Sequence, residues 1–560
     1  MNSDTDRKFA PTPPIRDCGT VNGLIALEAG VWGCGTRPLG RWRSVIGFPL
    51  LFLAGLNAAV SSQQAGASNA ASLNSPFVID IRQVGELYDP TTVLPSEISA
   101  VAYNIYDWLF DRSPDGKSKS GVAESWSMSP DATELIIKLR PKVMFHDGSA
   151  MTSGDVVFSW GRMVKGGFST RVSRSLQTIE ALDAGTVRIK FGKPEVGFIA
   201  SGGFAIVSKA YFEKMGEQEF KLHPQGTGPY KFTSLVRGRY VDLERFEGYW
   251  GVKPEIKTAR FNFVTEDSTR VAQLKTGEAD LAMQIPYPSV GEIVATPTLK
   301  IRVLSPGGFT IFLALKTDNP KSPWADIRVR EAMAIAIDHD AIVKDILRGY
   351  PKHFPLLAPS DNGYDPDLKP YAYDPARAKL LLKEAGATDL QFELPYISGA
   401  STGIKETAEA VALYLGRIGI KAVAKPIEGP QFIGFVHKAS KNPDMDYVAV
   451  FIGGIAGTPE SSGGLLTQFS TVTPFAWYVN PEINMMALKM AGIADPKSRA
   501  ESIKALGRAV HGDMRYIPLW TTASIYSMKK CVDFVPTLGP YDMVLLRDIK
   551  ISGCGVAGAN

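Results

Sequence analysis

Strand-like and helix-like hydrophobic patterns alternate along most of the chain, which points to a mixed α/β fold. The segment 134–140 (ELIIKLR) alternates apolar and polar residues, as a half-buried strand does. Thr152 and Asp155 then form a capping-box pattern ahead of an apolar run, which indicates the start of a helix. Because the chain has 560 residues and one compact core holds only ~250–300, we expect two or three lobes.

Three aspartates mark the beginnings of further helices. Asp326, Asp338 and Asp374 each precede apolar residues at helical spacing, where an N-cap side chain is preferred. A fourth helix is expected over 405–417. No internal repeat or long low-complexity stretch interrupts these patterns. The sequence therefore predicts an α/β protein with short loops between its elements.

An apolar segment near the N-terminus resembles the core of a secretory signal. Residues 45–56 (VIGFPLLFLAGL) follow three arginines within 37–43 and precede a stretch of small and polar residues. The segment is shorter than the ~20 apolar residues that a membrane span needs, but it suits a signal peptide. We therefore expect a pre-sequence over residues 1–67, cleaved after Ala67 or, alternatively, after Ala59. An uncleaved amphipathic anchor is the other interpretation.

The charge balance does not indicate a nucleic-acid partner. Lysine and arginine total 61 and aspartate and glutamate total 57, which gives a formal net charge of +4. Chains that bind nucleic acid normally show a clustered basic excess. The six histidines are scattered, and neither C-x-x-C nor H-E-x-x-H occurs. We therefore expect no nucleic-acid partner, no metal site and no cofactor.

Two of the four cysteines lie near the C-terminus. Cys531 and Cys554 are 23 positions apart and stay in the mature chain, whereas Cys18 and Cys34 belong to the pre-sequence. In an oxidising compartment Cys531 and Cys554 can form a disulfide, which typically contributes ~3 kcal/mol to the stability of the fold. Two buried free thiols are the alternative.

Five blocks of sequence resemble a known family in their order and spacing. In chain order they are Asp89-Pro90 with YDWLF at 106–110; VAESW at 122–126 with FHDG at 145–148 and DVVFS at 155–159; GTGPYKF at 226–232 with YWG at 249–251 and LKTGEADL at 274–281; DIRVREA at 326–332; and YDP at 373–375 with IPLW at 517–520. The chain resembles the bacterial extracellular solute-binding proteins of family 5, which serve peptide- and nickel-type ABC importers. The resemblance covers nearly all of residues 77–550.

The resemblance implies a periplasmic-binding-protein-like fold of the two-jaw (class II) type with an inserted third lobe. It divides the mature chain into lobe I (74–108, 227–310 and 515–560), lobe II (109–226) and lobe III (311–514). The chain would then cross between the jaws near 307–315 and near 518–524. Two such crossings make a hinge that lets the jaws close on a ligand.

The resemblance also directs attention to the segment 447–469. In peptide-binding relatives the matching stretch resembles W-x-x-D-Y-x-x-P, and its aspartate pairs with the α-ammonium of the ligand. Here Ile455 stands at the aspartate position when Pro459 is aligned with that proline. Because a buried ammonium without a carboxylate is costly, either another acid such as Glu86 or Glu460 replaces it, or the solute lacks a free α-amine. An alignment shifted by a few residues is a further alternative.

The candidate ligand-binding residues include glycines and aromatic side chains. Aromatic side chains in such positions can also belong to the hydrophobic core. Glycines let a ligand approach the main chain, and aromatic side chains supply a stacking wall. The candidates are Glu86, Phe204, Phe309, Gly453, Gly454, Ile455, Phe475, Trp477, Tyr478 and Trp520.

The resemblance implies a monomeric, periplasmic, non-enzymatic binding protein without a cofactor. It would capture a peptide or related small organic solute and deliver it to ABC permease subunits in the inner membrane. A non-peptide solute (an opine-like conjugate, a sugar or a metal chelate) is the alternative within this fold. An exported hydrolase, or a chaperone or receptor without a transporter, is the alternative from another class. The sequence lacks G-x-S-x-G, and His146-Asp147 is expected to form a turn rather than a catalytic dyad.

Overall fold

The computed structural model describes the chain in ten segments. These are residues 75–82, 89–91, 96–166, 175–195, 197–316, 319–442, 444–454, 462–470, 480–538 and 543–553. All of them belong to one compact unit, Ser62–Asn560. The expected pre-sequence, residues 1–67, lies outside the described residues. Within the described part, no helix has both the length and the apolarity that crossing a bilayer requires.

The described segments form twenty strands and fourteen α-helices. The strands are β1 (Phe77–Ile81), β2 (Phe110–Arg112), β3 (Ser118–Ser120), β4 (Ala123–Met128), β5 (Glu134–Leu139), β6 (Leu176–Asp183), β7 (Thr186–Phe191), β8 (Tyr230–Val236), β9 (Tyr240–Arg245), β10 (Thr258–Phe263), β11 (Leu281–Ala282), β12 (Leu299–Leu304), β13 (Thr310–Lys316), β14 (Gln391–Ile397), β15 (Lys421–Ile427), β16 (Tyr447–Gly453), β17 (Tyr516–Thr521), β18 (Ser524–Lys529), β19 (Val532–Asp533) and β20 (Lys550–Ile551). The helices are α1 (Ser96–Ile105), α2 (Ser153–Lys165), α3 (Gly197–Ala200), α4 (Lys209–Leu222), α5 (Asp267–Thr276), α6 (Val290–Val294), α7 (Ile327–Ile335), α8 (His339–Ala341), α9 (Pro375–Glu384), α10 (Ile404–Arg417), α11 (Gly429–Ser440), α12 (Ser462–Phe469), α13 (Pro481–Ala491) and α14 (Pro496–Asp513).

The largest sheet has seven strands in the order β12-β18-β11-β1-β10-β9-β8. Its central strand, β1, runs parallel to β10 and β11, whereas the remaining pairs are antiparallel. A side chain that follows β1 therefore lies at the carboxyl edge of three parallel strands, where α/β sheets commonly bind ligands.

A second sheet has five strands in the order β15-β14-β16-β13-β17. Every residue of β13 (TIFLALK) is buried, and the strand pairs antiparallel with both β16 and β17. β13 follows β12 of the first sheet after residues 305–309, and β17 precedes β18 of that sheet by residues 522–523. The expected boundary at residue 515 assigned β17 to lobe I, whereas its hydrogen bonds place it in the five-stranded sheet.

A third, four-stranded antiparallel sheet has the order β4-β5-β7-β6. Helix α2 packs on it, and the two share a hydrophobic core that includes Leu135, Ile137, Val156 and Trp160. All of its strands come from residues 123–191. The division into three lobes itself stays a prediction.

The predicted helix starts are confirmed. Asp326 accepts a hydrogen bond from Arg328 N (2.9 Å), and Asp374 accepts one from Arg377 N (2.8 Å). Asp338 likewise accepts from the main chain of α8, and the capping box at the start of α2 is formed. The fourth expected helix is α10, which begins at Ile404.

The FHDG block forms a turn that is tied to the segment after α4. His146 N donates to Gly226 O (3.0 Å), and His146 Nε2 lies 3.0 Å from Gly228 O. Asp147 accepts hydrogen bonds from the main chain and hydroxyl of Ser149. Burial lowers the pKa of His146 to about 4. The imidazole is thus held as a neutral link between two loops, as the turn interpretation expects.

Candidate functional site

The two connections between the larger sheets lie side by side. Gly307 N donates to Thr522 O (2.6 Å), and Thr522 N donates to Phe309 O (2.8 Å). The hydroxyl of Thr522 also accepts from Phe309 N (3.3 Å). The paired segments therefore form a narrow, hydrogen-bonded bridge between the seven-stranded and five-stranded sheets.

A cavity of about 610 Å³, including its open side, lies against this bridge. Both sheets contribute to its walls. They supply Arg82 after β1, residues 284–287 after β11, residues 308–309 and 522–525 of the bridge, residues 400–402 after β14, and Ile452 of β16.

Arg82 is the only charged side chain among the described residues that line this cavity. It is 16% exposed, and its Nη1 donates to the main-chain oxygen of Gly399 (2.8 Å). Gly399 adopts a positive φ of 68° in the loop after β14, a conformation that glycine tolerates without strain. Nη2 of Arg82 contacts Asp267 at 3.3 Å. Arg82 thus joins the end of β1 to a loop of the other sheet.

An aromatic pair also lies next to the bridge. Tyr287 stacks on Tyr350 with ring centroids 5.9 Å apart and planes 17° apart. The Tyr287 hydroxyl donates to Ala523 O (3.0 Å), next to the bridge. Because Tyr287 lines the cavity, this stack fixes one of its walls.

One of the predicted ligand residues lines the cavity, and two predicted glycines directly follow Ile452, which also lines it. Phe309 is half-buried and lines the cavity. Gly454 is exposed, and a Cβ built on it would be 3.6 Å from the Phe309 ring. Gly453 is buried, and a Cβ there would come within 2.4 Å of Gln468 Nε2. Gly453 therefore accommodates a neighbouring side chain of the protein.

Two predicted aromatics lie in hydrophobic cores and do not line the cavity. Phe204 is 2% exposed and packs against Trp160 in the four-stranded sheet's core. Trp520 is fully buried, and its Nε1 donates to Thr407 Oγ1 of α10 (3.0 Å). Both side chains pack in the protein interior, and neither belongs to the lining of the cavity.

Several predicted residues fall outside the described part of the chain. For ligand binding these are Glu86, Ile455, Phe475, Trp477 and Tyr478. Cys531 is disulfide-bonded. Its predicted partner, Cys554, also lies outside the described residues, so the pairing stays a prediction.

The sequence reasoning missed the polar residues of the cavity. These are Arg82, Gln284, Ser401, Thr402, Thr522 and Ser524. For Arg82 a signal existed, because an arginine directly follows the buried strand FVIDI and so ends it at the carboxyl edge. The GASTG sequence at 399–403 was a second signal, since a Gly/Ser/Thr loop ahead of a helix is typical of a ligand-facing turn.

A second cavity, of about 500 Å³, contains a buried carboxylate. Asp107 accepts hydrogen bonds from Trp250 Nε1 (2.8 Å) and Thr227 Oγ1 (3.0 Å). Burial nevertheless raises the pKa of Asp107 to about 6. Nearby, Nη2 of Arg547 donates to both carboxylate oxygens of Asp111, at 2.6 and 2.7 Å. Every polar group named here has a protein partner, which suits a structural network.

In the described residues, no group of three or more His, Cys, Asp or Glu side chains is arranged to hold a metal ion.

Comparison with known proteins gives three consistent findings. Residues 117–474, more than half of the chain, match the family model "Bacterial extracellular solute-binding proteins, family 5 Middle". The glutathione-binding protein GsiB of Escherichia coli O1:K1 is 28% identical over 455 residues, which cover 77% of this chain and 86% of the relative.

Solved structures agree with this result at the level of the fold. The periplasmic binding protein DppA from Helicobacter pylori, in complex with the peptide STSA, has a TM-score of 0.75 at 23% identity and covers 87% of this chain and 100% of its own. AgaA from A. tumefaciens R10, in complex with agropinic acid, has a TM-score of 0.73 at 24% identity and covers 86% and 99%.

These likenesses confirm the fold class and the family that the sequence predicted. The sheets belong to a periplasmic-binding-protein-like α/β fold with two jaws joined at a hinge. Proteins of this kind bind solutes for ABC importers and are not enzymes. The chain therefore belongs to the bacterial extracellular solute-binding proteins of family 5.

Proposed function

We propose that the cavity beside the bridge is the solute-binding site of this ABC-importer protein. The main support for this proposal is that the walls of the cavity come from both larger sheets. The paired segments around Phe309 and Thr522 join the two sheets at this place. Rotation of one sheet about this bridge opens or closes the cavity, as in hinge-bending binding proteins. Solute that contacts both walls stabilises the closed form, which the permease then recognises.

The proposed solute is a peptide or a related small organic compound. Relatives named above bind glutathione, a four-residue peptide and agropinic acid. The proposed cavity lies beside the bridge, between walls from both sheets. It is lined by main-chain groups, hydroxyls, an amide and aromatic rings, which bind a solute without covalent chemistry.

A second candidate is a solute that lacks a free α-amine. Among the described lining residues there is no carboxylate that pairs with an ammonium group. Burying an ammonium group without such a partner costs several kcal/mol of binding free energy. This observation favours conjugates whose amine is substituted.

A thermal-shift screen tests the proposal and separates the two candidates. The panel holds di- to pentapeptides, glutathione, N-substituted amino-acid conjugates and sugars. A ligand present at a hundred times its Kd should stabilise the protein by about 3 kcal/mol. A shift with peptides supports the first candidate, and shifts confined to N-substituted conjugates support the second. No shift with any compound contradicts the proposed site, and mass spectra that show a chemically altered ligand contradict binding without catalysis.

We further propose that the mature protein is periplasmic and monomeric, after removal of residues 1–67. N-terminal sequencing of protein from a periplasmic extract should begin near Ser68, or near Val60 for the alternative site. Light scattering during size-exclusion chromatography should give the mass of one chain. Membrane-bound protein with an intact N-terminus would support the anchor interpretation instead.

A further inference from the structure

Arg82 lies at the centre of the ligand-facing edge of the seven-stranded sheet. It directly follows β1, the fourth of the seven strands, and lines the cavity. Its neighbours in the sheet, β10 and β11, run parallel to β1. The backbone of the central strand therefore places Arg82 at this edge. This placement restricts the position of the guanidinium group before a ligand binds.

Among the described residues, Arg82 shares its carboxylate partner with a second arginine. That partner is Asp267, at 3.3 Å, and the same Asp267 oxygen also pairs with the buried guanidinium of Arg270. One carboxylate therefore serves two guanidinium groups. Asp80, the next acid along β1, is hydrogen-bonded by Asn262 and faces Arg270. Neither aspartate lines the cavity, and no carboxylate does so among the described residues.

Arg82 also connects the two sides of the cavity. Its Nη1 donates to Gly399 O across 2.8 Å, although the two residues are 317 positions apart in the sequence. Gly399 belongs to the loop after β14 of the five-stranded sheet, and the next residues of that loop, 400–402, line the cavity. One side chain thus touches the solute space, its own sheet and the opposite sheet.

We propose that the solute carries a carboxylate group, and that Arg82 binds this group and links it to closure of the cavity. A guanidinium can hold a carboxylate through one edge and still donate to Gly399 O through another, because it has five N–H groups in a fixed plane. The bound carboxylate of the solute adds negative charge next to Arg82, whose protein partner, Asp267, is shared with Arg270. This inference rests on the proposed function and specifies which chemical group the site selects.

The test compares acids with neutral amides of the same shape. The probe pairs are trialanine with trialanine amide, glutathione with its glycyl amide, and an N-(1-carboxyethyl) amino acid with its diamide. Calorimetry gives the Kd of each member for the wild type, Arg82→Gln, Arg82→Lys and Arg302→Gln. Arg302 lies in β12 of the same sheet, is 45% exposed and pairs with Asp533, so its replacement removes the same charge away from the cavity.

The wild type and Arg302→Gln should bind the acid of at least one pair about 10- to 100-fold more tightly than its amide, the range expected for a charged hydrogen bond. Arg82→Gln should lose most of this preference, and Arg82→Lys should keep part of it. If Arg82 is purely structural, Arg82→Gln will weaken acid and amide equally, which overturns the inference. Equal binding of acid and amide by the wild type also overturns it. Binding of neither member of any pair overturns the proposed solute class together with this inference.

Discussion

Thr522 and Phe309 hold the two crossing segments together by a pair of hydrogen bonds. Thr522 N donates to Phe309 O (2.8 Å), and Phe309 N donates back to the Thr522 hydroxyl (3.3 Å). One segment connects β12 to β13, and the other connects β17 to β18. A rotation of either sheet must therefore bend both segments at the same place, which defines a hinge axis beside the cavity.

Gly307 in this hinge should not tolerate a side chain. A Cβ built there would lie 2.6 Å from Thr522 Oγ1 and 2.9 Å from Thr522 O, and the second of these is a main-chain atom that cannot rotate away. We expect Gly307→Ala to lower the free energy of unfolding by about 1–3 kcal/mol, as overpacking does. Urea denaturation measures the effect.

Gly291→Ala is the matched control for this change. Gly291 lies in the short helix Val290–Val294, and a Cβ there meets nothing within 4 Å. Its replacement should leave stability unchanged or raise it slightly, because alanine favours helix. Equal stability of Gly307→Ala and the wild type would show that the hinge has more room than this geometry allows.

Gly226, which follows the loop after α4, should be even less tolerant. A Cβ there would come within 2.2 Å of Ile105 O, and a backbone hydrogen bond from Gly228 N to the same oxygen (2.9 Å) keeps the two segments close. We expect Gly226→Ala to cost several kcal/mol, at the upper end of single substitutions, and to reduce soluble yield. Gly161→Ala, inside α2 with open space around it, is the control and should stabilise by up to ~1 kcal/mol. A Gly226→Ala protein that melts like the control would contradict the close packing.

Features that depend on neighbouring residues could be predicted from the sequence. The N-cap at Asp374 needs only the main chain of Arg377, three positions later, and both are visible in the sequence. The strand at 134–140 was likewise recognisable from its own alternation, and it is observed as Glu134–Leu139. The family blocks extended these local predictions to the fold class, because they occur at the spacing of known relatives.

The cavity could not be predicted in the same way. It depends on contacts such as Arg82 with Gly399, between residues 317 positions apart, which no local pattern encodes. An aromatic residue in the sequence also does not reveal whether it faces a ligand or a core. Trp520 is a reasonable ligand candidate from its place beside the hinge, yet its indole is fully buried and donates to Thr407. The glycines at 453 and 454 differ for the same reason, since only the first abuts Gln468.

The stability of the protein should depend on pH through His146. Burial lowers its pKa to about 4, whereas an unfolded histidine has a pKa near 6.5. Above pH 6.5 both states are neutral and the contribution is fully present. As the pH falls from 6.5 to 4, only the unfolded chain gains the proton, so stability is lost. The loss should reach ~3 kcal/mol at pH 4.

Comparison of the wild type with His146→Gln isolates this effect from other titrating groups. Buried Asp107, whose pKa is raised to about 6, acts in the opposite direction and is common to both proteins. The stability advantage of the wild type at pH 7.5 should therefore shrink by ~2.5 kcal/mol at pH 4.5. His223→Gln, with a side chain that is 56% exposed, serves as the control for removing a histidine. An advantage that stays constant between the two pH values would argue against a buried neutral imidazole.

The C-terminal segment should be closed by a disulfide between Cys531 and Cys554. Cys531 is disulfide-bonded, and its main-chain oxygen accepts a hydrogen bond from Ser552 N (3.0 Å), which brings the chain two residues before Cys554 close to it. Trypsin should release residues 531–547 and 551–560 as one linked species under non-reducing conditions, and reduction should separate them. Recovery of both peptides as free thiols would contradict the pairing.

The disulfide between Cys531 and Cys554 should also raise the free energy of unfolding. Closing a loop of this length restricts the unfolded chain by ~3 kcal/mol in the loop-entropy account. Cys531→Ser, Cys554→Ser and the double variant should lose similar amounts, because breaking the bond once removes the whole restriction. Unfolding in urea with and without reductant provides the measurement, and reductant should destabilise the wild type but none of the variants. Additive losses in the double variant would instead indicate that each cysteine contributes by packing alone.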